Sequence, residues 1–152
     1  MELRQRISAA LKQAMRDKES ERLATLRLIN AAIRDREIAK RAEDGEDAVQ
    51  EAEVLDILSK MVKQRRESVR AYEEAGRLDL AEAEQDEIAV IEEFLPRKLS
   101  EAEVEKAIDA AVEEVGASSI RDMGKVMGAL KARYTGQMDF GAVGAKVKAR
   151  LG

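Results

Sequence analysis

Apolar residues return every three or four positions along nearly the whole of this chain, and a proline interrupts the pattern only once. Leu3, Ile7, Leu11, Ala14 and Met15 set the rhythm. That spacing lays a stripe along one side of a helix instead of alternating between the two faces of a strand. It predicts a first helix over 2–17, followed by the polar turn DKESE. Leu23, Leu26, Ile29, Ile33 and Ile38 predict a second over 20–41, ending in a loop, AEDGED, that contains Gly45. Asn30 falls toward the apolar side of that helix and is expected to be a buried, hydrogen-bonded register device. Val54, Leu55, Leu58, Met61, Val62, Val69 and Tyr72 predict a third helix over 48–75, stopped by Gly76, where a helix end favours left-handed backbone. Leu80, Ala81, Ile88, Ile91 and Leu95 predict a fourth that runs up to Pro96.

Pro96 is the sharpest boundary, because it disfavours helical geometry in the residue before it and lacks a backbone donor. Just beyond it, LSEAEV offers Ser100 as an N-cap with Glu103 three residues on, a capping box that restarts a helix. Val104, Ile108, Ala111, Val112 and Val115 form its stripe, and Gly116 ends it. Ser119 with Asp122 makes a weaker box, and Asp139 caps a last helix carrying Phe140, Val143, Val147 and Leu151. Aromatic residues are 3% of the chain while Ala, Glu, Lys, Leu and Arg dominate, which starves a sheet and favours helix. The expected fold is all-α: an N-terminal domain of about four helices over 1–95, then a C-terminal three-helix bundle over 97–152.

Several chemistries are excluded by absence. There is no cysteine and no histidine, so disulfides, nucleophile–histidine catalysis and the nitrogen and sulfur ligands of most zinc sites are gone. No phosphate-binding loop or dinucleotide fingerprint occurs, and the acidic run Glu82, Glu84, Asp86, Glu87, Glu92 and Glu93 lacks the spacing of a cation site. No catalytic residue, metal or cofactor is expected. The opening MELRQRISAALKQAMRD has charges scattered through it, unlike a signal peptide or membrane span. A cytoplasmic location with no membrane contact is the expectation.

The net charge of −4 conceals an uneven distribution. Residues 1–41 carry +5, 42–95 carry −11, 96–117 carry −3 and 118–152 carry +5. A polyanion is thus still accommodated at either end of an acidic chain. Arg27, Arg34 and Arg41 recur every seven residues on one helix face, and Lys63, Arg66 and Arg70 form a similar row. Rows of this kind are expected to make surface ion pairs with nearby carboxylates, the other reading being a polyanion or partner surface.

The stretch SSIRDMGKVMGALKARYTGQMD departs from the rest of the chain. Ile120, Met123, Met127, Leu130 and Tyr134 share one face as a core stripe, yet Gly124 and Gly128 interrupt the helix at about 1 kcal/mol each relative to alanine. Gly136 is expected to cap this helix, and Gly144 has no reading of its own. Either a neighbouring segment packs closely over the two helical glycines, or the bared strip admits a large ligand whose charge Arg121, Lys125 and Lys131 neutralise, as a nucleic-acid backbone requires. Lys146, Lys148 and Arg150 add positive charge on the last helix, where they also complement its dipole.

DMGKVMGALKARYTGQMDFGAVGAKVKARL, 122–151, resembles the C-terminal tail domain of the B subunit of the glutamyl- and aspartyl-tRNA amidotransferase. ATLRLINAAIRDREI and KQRRESVRAYEEAGRLDLAEAEQDEIAVIEEFLP are similar to stand-alone YqeY proteins, so the resemblance is to the GatB/YqeY family over nearly the whole chain. It implies tRNA contact by the tail, with Gly124, Val126, Met127 and Gly136 matching its pattern. The tRNA-facing role then falls on Lys125, Gly128, Lys131 and Arg133, joined by Gly124 from the bared strip and by Arg121 and Lys146 from the reading of charge. KARYTG places Tyr134 and Thr135 where the tail often has lysine, which implies a weaker contact. The implied function is a non-catalytic tRNA- or structured-RNA-binding accessory module beside the amidotransferase or the translation machinery. The alternatives are an accessory component of a carbon–nitrogen ligase with glutamine as amido-nitrogen donor, and a helical protein–protein adaptor.

Overall fold

The computed structural model describes residues 2–45 and 49–152, apart from the side chain of Asp44. All regular structure in them is helical, with no strand among the described residues. Seven α-helices follow in order: α1 Leu3–Arg16, α2 Ser20–Asp44, α3 Glu51–Glu74, α4 Leu78–Glu92, α5 Glu101–Val115, α6 Met123–Tyr134 and α7 Phe140–Leu151. A 3-10 turn, Ile120–Asp122, leads into α6. The chain divides into two compact units, Met1–Leu95 and Pro96–Gly152.

In the first unit Ile7, Leu26, Ile29, Val54, Leu58 and Ile91 are fully buried and come from all four helices. Thr25 is the one buried polar residue among those described, and its hydroxyl donates to the Glu21 carbonyl at 3.3 Å, so burial leaves no group unpaired. The α3–α4 hairpin turns on Gly76 at φ +72, with Arg77 N–H donating to the Tyr72 carbonyl at 2.8 Å. This closes the last turn of α3 in the manner of a left-handed C-cap.

Several expectations are corrected here. Met15 and Ile38, assigned to apolar stripes, are exposed. Asn30 is exposed rather than buried, because the buried arc of α2 is centred on Leu26, Ile29 and Ile33. α2 runs three residues beyond its predicted end, to Asp44, where Gly45 at φ +74 donates to the Arg41 carbonyl at 2.9 Å. The end of the expected loop, 46–47, and the expected start of the third helix at 48 lie outside the described residues. α4 stops at Glu92 instead of running to Pro96. Phe94 and Leu95 donate to the carbonyls of Ile91 and Glu92, each at 3.1 Å. The proline thus tightens the preceding turn to three-residue bonds, and Phe94 is buried there.

The second unit opens with the capping box. Glu103 N–H donates to Ser100 Oγ at 3.2 Å and Ser100 N–H donates to Glu103 Oε1 at 3.1 Å. Arg97 grips the same carboxylate through two 2.8 Å hydrogen bonds. Those guanidinium bonds first, and then the backbone and hydroxyl of Ser100, hold the Glu103 carboxyl down at about 2. The lead-in to α5 is fastened to the α6–α7 loop, since Leu99 N–H donates to the Gln137 carbonyl at 2.9 Å and Gln137 Nε2 to the Arg97 carbonyl at 3.1 Å. Ile108, Val126, Leu130 and Val147 form the centre of this unit's core.

Candidate nucleic-acid interface

The glycine-bearing stretch begins where Asp122 gathers two backbone donors. Its Oδ2 accepts from Ser118 N–H at 2.9 Å and Ser119 N–H at 3.3 Å. These bonds, with a smaller contribution from the Lys125 charge, hold its carboxyl below the usual range. The entry to α6 is thereby pinned one turn ahead of the glycines.

Val126 and Leu130 are the fully buried residues of α6, whereas Met123, Met127 and Tyr134 are half-buried and Ile120 is exposed. The core arc is therefore rotated from the predicted stripe toward Val126. Gly144, which had no reading from the sequence, is buried on α7; a methyl there would sit 3.7 Å from Met123 Cε and 3.8 Å from Met127 Cε. Its missing side chain makes room for the two methionines.

Gly124 and Gly128 are different. A Cβ built on either meets no atom within 4 Å, and both residues are exposed. Among the described residues no segment is packed over them, so close internal packing is not what their small size serves. With exposed Ala132 they recur every fourth residue, which aligns them along one side of α6. Arg121 and Lys125 are exposed and form no ion pair among the described residues. Lys131 is also exposed and places its ammonium 6.0 Å from the centre of the Phe140 ring, at the outer limit of a cation–π contact.

Arg133 and Lys146 are placed elsewhere. Arg133 Nη2 lies 2.8 Å from Glu114 Oε2, and Lys146 Nζ lies 3.5 Å from Glu105 Oε1. Arg150 pairs with Asp109 in the same way. These three cations meet carboxylates of α5, leaving Arg121, Lys125 and Lys131 as the cations grouped on the glycine-bearing segment. A helical projection turns Arg133 about 80° from Lys125 and about 140° from Gly128, onto the flank beside buried Val126.

In the first unit the predicted arginine and lysine rows behave unevenly. Arg66 reaches Glu92 at 3.3 Å, whereas Arg27, Arg34, Lys63 and Arg70 make no ion pair among the described residues. The cations that do pair closely are ones the sequence did not single out. Arg65 meets Glu87 at 2.8 Å, and Glu53 is held by Lys40 at 2.7 Å and Arg36 at 3.2 Å. They lie beside the apolar arc, where a carboxylate of the neighbouring helix comes within reach. Among the described residues no group of three or more acidic side chains is arranged to hold a metal ion, and no helix is long and apolar enough to cross a membrane.

A family model described as Yqey-like protein matches residues 4–151. The chain belongs to the YqeY-like family. Curated relatives of this YqeY-like chain include proteins named "Altered inheritance of mitochondria protein 41, mitochondrial". That of Lachancea thermotolerans is 31% identical over 111 residues, covering 72% of this chain and 57% of its own length. That of Pyrenophora tritici-repentis is 29% identical over 134 residues, covering 84% and 71%, and that of Clavispora lusitaniae 39% identical over 85 residues, covering 56% and 46%. The matched region thus spans about half to seven-tenths of these relatives. Their names overturn the cytoplasmic expectation. The physical reason is that a cysteine-free helical chain carries no mark that distinguishes one reducing aqueous compartment from another.

Proposed function

We propose that this YqeY-like chain is a non-catalytic accessory module that binds tRNA or another structured RNA through α6, as the resemblance of its C-terminal unit to the amidotransferase tail suggests. One observation carries the reading: the two helical glycines are open, with nothing within 4 Å of either absent side chain. An exposed backbone strip flanked by Arg121, Lys125 and Lys131 allows a phosphodiester chain to lie close to the helix while its charge is met from the side. Arg133 and Lys146 act in this reading as props that hold α6 and α7 against α5, releasing their carboxylates only if RNA competes for them. The names of the relatives bring a mitochondrial setting to the proposal.

Three cations on three phosphates predict that the logarithm of the association constant falls against the logarithm of salt with a slope of roughly −2 to −3. Fluorescence anisotropy with tRNA at several salt concentrations measures it. Lys125→Glu with Lys131→Glu is expected to weaken binding at least about tenfold while the helical circular-dichroism signal stays unchanged, since both residues are exposed. Binding that ignores salt, or survives both reversals intact, overturns the proposal.

A further inference from the structure

α2 has two faces, and only one of them is used. Its inward arc is filled by Leu26, Ile29 and Ile33. On the outward side Ala24, Leu28, Ala31, Asp35, Ile38 and Ala42 are all exposed. Their spacing alternates four and three, which is the a/d seam of a coiled coil sustained over most of the helix. Leu28 and Ile38, its two large aliphatic side chains, are 45% and 63% exposed.

Arginine occupies each position preceding an a residue of this seam: Arg27 before Leu28, Arg34 before Asp35 and Arg41 before Ala42. These are the g positions that choose a coiled-coil partner by charge. Arg27 and Arg34 form no ion pair among the described residues. Both line a groove of ≈ 600 Å³ between α1 and α2, whose α1 wall includes Ser8 and Gln5. An apolar seam, a groove beside it and two uncommitted guanidinium groups at heptad spacing together describe a helix-in-groove site.

The charges select the occupant. In a second copy laid antiparallel, arginine would face arginine; laid parallel, arginine would face half-buried Ala32 and Ala39, neither of them acidic. In the parallel arrangement two copies of Asp35 would also meet near the middle of the seam. A nucleic-acid strand gains nothing from exposed leucine and isoleucine and is repelled by Asp35. We infer that α2 docks an acidic amphipathic helix of another protein, with aliphatic residues against Leu28 and Ile38, carboxylates against Arg27 and Arg34, and a cation or amide opposite Asp35.

The test uses the full chain and two synthetic helical peptides of about three heptads, each with leucine at the seam and one central lysine. One has glutamate at its flanking positions, the other lysine. The glutamate peptide is expected to bind and to shift the backbone amide resonances of Ala24, Leu28 and Ala31. The variant carrying Arg27→Glu and Arg34→Glu should lose about tenfold in affinity for the glutamate peptide and gain affinity for the lysine peptide. Absence of binding, affinities unchanged by the double reversal, or peptide-free self-association through Leu28 would each overturn the inference. A parallel titration with tRNA keeps the two proposals apart: the double reversal should leave tRNA affinity as it was, and loss of tRNA binding there would place the nucleic acid, not a helix, on α2.

Discussion

At the scale of single residues, the glycines separate by what surrounds them. Gly144 is buried and its absent side chain accommodates two methionine methyls, whereas Gly128 has helical backbone and open space where a methyl would go. Gly128→Ala is therefore expected to stabilise the second unit by about 1 kcal/mol, because alanine restricts the unfolded chain and meets no atom in the folded one. Thermal melting followed by circular dichroism should show a midpoint raised by roughly 4 °C or more; a lowered midpoint would mean that the strip is covered. The residue types in this stretch were legible as a cationic, glycine-interrupted helix. Which glycine was open and which was filled was not, since a helical wheel knows nothing of the helix that packs against it. The same limit rotated the core from Met127 toward Val126 and left Asn30 on the surface.

At the scale of elements, α2 and α3 are joined by a clasp on Glu53. Lys40, then the Gln50 backbone and Arg36, donate to its carboxylate and hold its carboxyl at about 2. A carboxyl that binds its proton less tightly folded than unfolded contributes stability above the ordinary carboxyl range, and that contribution is lost as pH falls toward 2. Glu53→Gln should consequently melt below the parent near neutral pH, with the gap closing in acid. A gap that is constant across pH would show that packing, not charge, is what the substitution disturbs. Helix starts and stops were readable wherever the chemistry is local: Ser100 with Glu103 and Gly76 act within a turn of themselves. Ends that depend on more distant effects were misplaced, as with the tightened turn that buries Phe94 ahead of Pro96.

At the scale of the molecule, each of the two units closes its own apolar cluster, and the clusters share no residue. Leu58 lies fully buried in the first. Leu58→Ala should cost that unit about 2–5 kcal/mol, and hydrogen exchange should show faster exchange in α1 to α4 with protection in α5 to α7 unchanged. Loss of protection in both units would show that they unfold as one.

By itself the sequence determined the all-helical fold, because a period of three to four among apolar residues, few aromatics and local caps act through neighbours in the chain. Its uneven charge was equally plain, because charge is counted and not folded. Tertiary structure decided which side of each helix meets another and which cations are already held by a carboxylate. It turned Arg133 and Lys146 toward α5, left Lys125 beside open glycine, and exposed the heptad seam of α2. Those choices depend on which residues become neighbours across space, a relation that spacing along one helix does not contain.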